Sequence, residues 1–288
     1  MAGEGTIAVV IPTFNEAASI AGVIAGLPRE TRVIIADGGS TDATVARARE
    51  AGAVVIAAGR GYGRACRAGA AAAADADIIV FMDGDGADDP ASFAALVAPI
   101  RAGDCDFVLA SRARGPREPG SIGWHQLAAG WLAGLGTAAL YGVRYTDMCA
   151  FRAIRRDALF ALGMREMTYG WNIEMQMRAA RAGLRIREIP AAYRCRTGGE
   201  SKVAGSVRGT VRASARIIAT FVRVALSPLP EGERVARVAR RVRGVRSFAS
   251  SSESPSPRLA SLADPPPPGE GERRARAAQE QVAQERKA

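Results

Sequence analysis

An α/β fold, in which helices flank a mostly parallel central sheet, is what this sequence predicts. Three observations predict it. Apolar runs rich in β-branched residues recur at 7–11, 33–36, 53–57 and 77–80. Each passes through a loop carrying acidic residues or glycine into a helical stretch. The chemically reactive side chains gather in those loops, outside the carboxyl ends of the strands, where parallel sheets bind ligands. At 288 residues and 48% hydrophobic, the chain can bury one large core.

Taken in order, Ile7-Ala8-Val9-Val10-Ile11 is a buried-type strand that Pro12-Thr13-Phe14-Asn15-Glu16 turns into a helix over 17–27. The strand at 33–36 ends in Asp37-Gly38-Gly39-Ser40-Thr41-Asp42, with Asp42 placed to cap a helix over 43–51. The third strand leads through Gly59-Arg60-Gly61-Tyr62-Gly63 into a helix over 64–74. The fourth runs into Phe81-Met82-Asp83-Gly84-Asp85-Gly86-Ala87-Asp88-Asp89-Pro90, a turn with four carboxylates. Like charges this close raise one another's pKa unless a cation sits among them. The turn therefore reads in two ways: as an oxygen-ligand site for a divalent metal, or as a solvated acidic turn in which Asp88 or Asp89 caps a helix starting near Pro90.

Further on, a strand at 106–110 ends at Ser111-Arg112, followed by a basic loop with Arg114 and Arg117. A helix over 124–141 carries Leu127, Trp131, Leu135 and Leu140 near helical spacing, which places them in the core. Gly170-Trp171-Asn172-Ile173-Glu174 opens a helix reaching about 182, with Asn172 as N-cap and Glu174 favoured by the helix dipole in the first turn. Over 203–226 lies a basic amphipathic helix, with Val207, Val211, Ala215 and Ile218 on one side and Arg208, Arg212 and Arg216 beside them. Such a helix either lies on an anionic membrane surface or docks onto its own domain. The expected domain is thus 1–226. Residues 227–288, rich in Pro, Ser, Arg and Glu, cannot bury a core and are expected to form a disordered tail.

Composition narrows the chemistry. The four cysteines, at 66, 105, 149 and 195, form no C-x-x-C pair, and His125 is the single histidine, which argues against zinc ribbons, dithiol redox centres and histidine-based triads. From Ser227 onward there are twelve basic and eight acidic residues, so about +4 of the formal +10 charge lies in the tail. Aromatics amount to 6% and no basic run is interleaved with them, which argues against nucleic acid as a partner. No run approaches a membrane span, and the first residues have neither a basic patch nor an apolar signal core. A cytoplasmic protein, peripheral on the cytoplasmic membrane face, is expected. Gly59, Gly61 and Gly63 do not make a dinucleotide fingerprint, because the sixth position counted from Gly61 is Cys66.

The succession Ile11-Pro12-Thr13-Phe14-Asn15-Glu16, Asp37 to Asp42, Gly61-Tyr62-Gly63 and Asp83-Gly84-Asp85 resembles the family 2 glycosyltransferases of GT-A fold, and within them the dolichol-phosphate mannosyltransferase-like group. The likeness continues through Ser111-Arg112, Tyr145-Thr146-Asp147, Phe151-Arg152 and Arg196-Thr197-Gly198-Gly199-Glu200-Ser201-Lys202, covering about residues 6–225. The resemblance implies a nucleotide-sugar site bordered by Pro12, Glu16, Gly61 and Arg64, with Asp37 reading a uracil or guanine base. It implies that Asp83 and Asp85 hold Mg²⁺ or Mn²⁺ against the donor diphosphate, and that Arg112 lies near the diphosphate or the acceptor phosphate. Ala87 departs from the pattern, since relatives often carry a polar residue there.

A sugar hydroxyl must lose a proton as it attacks, whereas a polyprenyl phosphate is already anionic and needs no base. With no catalytic histidine and only Glu174 and Asp147 as candidate acids, Arg112, Arg194, Arg196, Ser201 and Lys202 read as a clamp for a lipid-phosphate acceptor. The expected reaction is a metal-dependent, inverting glycosyl transfer from a UDP- or GDP-sugar, with Asp85, Arg112, Glu174 and Asp147 as candidate catalytic residues. Transfer to a hydroxyl acceptor and a non-catalytic nucleotide-sugar-binding protein are the alternatives.

Overall fold

A computed structural model describes residues 5–198 and 207–227. All of them belong to the first of two compact units, Met1–Val238; the second, Ala239–Ala288, lies outside the described residues, as does the predicted tail from 228 on.

Seven strands form one sheet: β1 (Ile7–Thr13), β2 (Arg32–Asp37), β3 (Val54–Ala57), β4 (Ile78–Phe81), β5 (Phe107–Ser111), β6 (Arg152–Arg155) and β7 (Ile186–Pro190). Their order is β3-β2-β1-β4-β6-β5-β7. The first four pair in parallel; β6 runs antiparallel between β4 and β5, and β7 is parallel to β5. This is the GT-A arrangement the sequence led us to expect. Successive strand residues point to opposite faces, so Val9, Ile11 and Val80 enter one core with Leu96 and Phe151, while Val10, Ile34 and Ile79 enter a second with Phe107 and Trp171.

The helices are α1 (Ile20–Ala25), α2 (Thr44–Glu50), α3 (Tyr62–Ala72), α4 (Phe93–Arg101), α5 (Trp124–Tyr141), α6 (Arg156–Ala161), α7 (Trp171–Ala182) and α8 (Val207–Leu226). α1 begins later than expected because the preceding residues form a turn that reaches the acidic loop, Ser19 Oγ donating to the Gly84 carbonyl at 2.7 Å. Before α4 a short 3-10 turn, Pro90–Ser92, is capped by Asp89, which accepts from Ala91 N. Asp88 does not cap; it turns inward.

α5 occupies its predicted span but not its predicted burial. Its buried residues are Gly130, Gly134 and Thr137, while Trp131 and Leu140 are exposed. A Cβ at Gly134 would collide with the Tyr145 carbonyl, so small residues let this helix approach the Tyr145–Asp147 turn and push its larger side chains outward. α8 docks through Ala213, Thr220 and Val224 and turns Val211, Ile218, Val222 and Leu226 outward. Among the described residues no helix is long and apolar enough to cross a membrane.

Candidate active site

The sheet order reverses between β1 and β4, and the loops leaving those two strands flank the crevice that such a switch creates. The first loop is fixed from several directions. Asn15 takes a left-handed conformation, φ 54°, and its Oδ1 accepts from Thr41 N while its own N–H donates to Ser40 Oγ. Asp42 clasps two segments, accepting from Thr44 N at 3.0 Å and Ala17 N at 3.2 Å. Asp37, at the end of β2 beside Pro12 and Thr13, holds its own turn by accepting from Gly39 N and Ser40 N at 2.9 Å. Across the mouth, the Arg60 guanidinium stacks on the Phe14 ring at 3.8 Å. Gly61 has φ 126° and lies against the Met167 carbonyl, which accepts from Arg64 N at 2.9 Å; the Arg64 side chain is exposed.

The second loop concentrates the negative charge. Asp88 is buried, accepts from Asp83 N at 3.2 Å and lies 3.8 Å from Cys149 Sγ. Asp85 accepts from Ala87 N at 3.0 Å. Loss of hydration pushes the Asp83 carboxyl up to about 8 and that of Asp88 up to about 6, and the neighbouring Asp85 charge adds to both.

Two arginines lean on this turn. Arg196 Nη2 stands 3.3 Å from both Glu16 carboxylate oxygens and 3.8 Å from Asp85 Oδ2, and Arg194 Nη2 is 3.0 Å from Asp89 Oδ1. Their segment is pinned to the turn by Arg194 N donating to the Ala87 carbonyl and Thr197 N to the Asp85 carbonyl. Arg196, expected in an acceptor clamp, thus serves here as a counter-cation of the acidic turn. Ser201 and Lys202 lie outside the described residues.

Arg112, immediately after β5, is held by Asp147: Nε to Oδ2 and Nη2 to Oδ1 are both 2.8 Å, and Arg112 N also donates to Oδ2. The Tyr193 ring lies 5.0 Å from its guanidinium carbon. Asp147 is almost fully buried, and its bonds to Arg112 hold its carboxyl below the usual range against the opposing effect of burial. Its oxygens are taken up by this pair and by Met148 N.

Glu174 sits elsewhere. It is fully buried in the first turn of α7, 3.0 Å from Arg178 Nε, and accepts from Arg165 N and Glu166 N. Asn172, expected to cap α7, is its second residue. Sequence reasoning missed Glu166, whose buried carboxylate accepts from Arg216, Thr220 and Arg223 and so ties α8 down. Its partners lie some fifty residues away along the chain, and no local pattern announces them. It also missed Tyr193, and Asp88 as an inward-facing third acid.

Residues 8–163 match the glycosyl transferase family 2 profile. A glycosyltransferase of Mycobacterium tuberculosis is 36% identical over 219 residues, covering 73% of this chain and 95% of the relative. The undecaprenyl-phosphate mannosyltransferase of Micrococcus luteus is 31% identical over 220 residues, 69% of this chain and 88% of that enzyme. Among solved structures, glucosyl-3-phosphoglycerate synthase of M. tuberculosis, in complex with Mn²⁺, UDP and phosphoglyceric acid, superposes with a TM-score of 0.61 at 25% identity, covering 78% of this chain and 80% of that one.

Proposed function

Because the chain belongs to glycosyl transferase family 2, and is therefore a glycosyltransferase, we propose that it moves a sugar from a nucleotide sugar to a polyprenyl phosphate, with inversion and with a divalent cation at Asp83 and Asp85. The observation that carries this reading is the Arg112–Asp147 pair. The carboxylate that could have served as a base is bound bidentately to an arginine, while Arg112 Nη1 makes no hydrogen bond among the described residues. Glu174, the other candidate base, is buried against Arg178. A site with its acids occupied and an arginine prepared suits a nucleophile that arrives already anionic.

The residues fit a metal of the Mg²⁺ or Mn²⁺ type. Asp83 and Asp85 are hard oxygen donors, and they share their turn with a third carboxylate, the buried Asp88, which accepts from Asp83 N. Among the described residues no three His, Cys, Asp or Glu side chains converge to hold an ion alone, so a donor diphosphate and water would complete the shell. When bound, the ion would neutralise charge on the departing nucleoside diphosphate. Pro12, Glu16, Asp37, Gly61 and Arg64 border the donor; Arg196, with Ser201 and Lys202, belongs to the acceptor side once released from the acidic turn. The Mn²⁺ and UDP of the solved neighbour and the lipid phosphate named for the Micrococcus enzyme support the two halves of this assignment.

The outward apolar side chains of α8, and the exposed Trp124, Trp131 and Leu132 of α5, are the groups through which this domain, 1–226, would meet the membrane that holds such an acceptor. The functional test is a panel of UDP- and GDP-sugars scored by thermal stabilisation with and without Mn²⁺. Stabilisation by a nucleotide sugar only when metal is present is expected; stabilisation indifferent to metal would count against the metal at Asp83 and Asp85.

A further inference from the structure

Glu188 is a carboxylate with an unusual set of partners. It lies on β7, opposite Leu109 of β5, half-buried and without an ion pair among the described residues. Its oxygens take neutral donors from one turn. Oε1 accepts from Thr146 N at 2.9 Å and Asp147 N at 3.2 Å, and Oε2 accepts from Thr146 Oγ1 at 2.7 Å. Thr146 Oγ1 also lies 2.7 Å from Ser111 Oγ, at the end of the strand that delivers Arg112. The Glu188 carbonyl in turn accepts from Arg114 Nη1 at 2.9 Å.

Two consecutive N–H groups aimed at one carboxylate oxygen fix the peptide between Thr146 and Asp147, and with it the Cα–Cβ direction of Asp147. Asp147 holds the Arg112 fork with two parallel bonds, a geometry that tolerates little rotation. The same carboxylate thus braces both ends of the pair, Asp147 through its backbone and Arg112 through Thr146 and Ser111. A neutral side chain too short to reach the turn would leave Thr146 N and Asp147 N without their acceptor and let Asp147 swing.

We propose that Glu188 is the positioning residue that aims Arg112 at the acceptor phosphate. This rests on the acceptor reading given above, but the brace itself does not. Glu188 acts by accepting hydrogen bonds, not through its charge, so Glu188→Gln should replace it: the amide oxygen still accepts from both N–H groups, and the amide nitrogen donates to Thr146 Oγ1, whose proton turns to Ser111.

The test compares Glu188→Ala and Glu188→Gln in the full chain, with Mn²⁺, nucleotide sugar and a short-chain polyprenyl phosphate. Glu188→Ala should raise the acceptor KM by about 10- to 100-fold while the nucleotide-sugar Kd stays within about 2-fold, and Glu188→Gln should remain within about 3-fold of wild type in both. The NMR signal of Arg112 Nε–H, shifted by its bond to Asp147, should be lost in the alanine variant and kept in the glutamine one. Should Glu188→Ala not fold, Thr146→Val removes only the hydroxyl link and should raise the acceptor KM by about 3- to 10-fold. An unchanged acceptor KM, glutamine behaving like alanine, or a parallel loss of donor affinity would each overturn the proposal. If wild type uses only hydroxyl acceptors, the proposed function fails; the Arg112 signal then decides the brace by itself, its loss with alanine alone supporting it and its persistence in both variants overturning it.

Discussion

Arg112 and Asp147 meet through two parallel 2.8 Å bonds, with the carboxylate 1% and the guanidinium side chain 15% exposed. Breaking such a pair by removing one partner leaves a buried charge without compensation, at a cost of about 3–5 kcal/mol. Asp147→Asn should therefore lower stability in denaturant unfolding by about that amount and reduce transfer. Its residual activity should keep the wild-type pH profile. A pH limb present in wild type and absent from the variant would instead mark Asp147 as a base.

Arg196 stands where a cation is wanted, between Glu16 and Asp85. A metal arriving at Asp85 must compete with it. Arg196→Ala should consequently bind Mn²⁺ more tightly than wild type, by about 3- to 10-fold in calorimetry without donor, although it weakens use of the acceptor. Unchanged or weaker Mn²⁺ binding would show that the arginine is no competitor. Lysine at 196 should restore acceptor use only in part, lacking the planar fork.

The Glu166 carboxyl is held down at about 2 by its bonds to Thr168, Arg216 and Thr220, which outweigh its burial. Its folded pKa lies below its ordinary value of 4.5, so the stability it contributes is present above pH 4.5 and is lost as the pH falls through about 2. Glu166→Gln should melt below wild type at neutral pH, and the gap should close between pH 4.5 and about 2. A gap independent of pH would assign the effect to packing alone. Because Glu166 anchors Arg216 and Arg223, the variant should also loosen α8, read as faster amide exchange over 207–226.

The parallel half of the sheet was legible because each strand is a short β-branched run closed by a turn, and Asp83 and Asp85 announced themselves by crowding. β6 and β7 did not stand out: they are short and interrupted by arginine and glutamate, as in Arg152-Ala153-Ile154-Arg155. The limits of α5 could be read, but its burial could not, since the close approach of Gly134 to Tyr145 is a tertiary fact. The same holds in the site. Arg112 and Asp147 were both named, yet only the fold reveals that they neutralise each other, and Arg196 reaches Glu16 across 180 residues of chain.

Deleting residues 228–288 should leave transfer to a short-chain acceptor and the melting temperature nearly unchanged, because their composition offers no apolar core to lose. A drop of several degrees in the truncated protein would show that the tail packs on the domain.

Whether the nucleophile is a phosphate or a hydroxyl is decided by a competition assay. Purified protein is given a labelled nucleotide sugar and Mn²⁺ with a polyprenyl phosphate and a panel of free sugar hydroxyl acceptors in one vessel, across a range of pH. Transfer to the lipid phosphate, with no rise through the pKa of a protein base once that phosphate is ionised, is the expected result. Transfer to the hydroxyl compounds alone would contradict it.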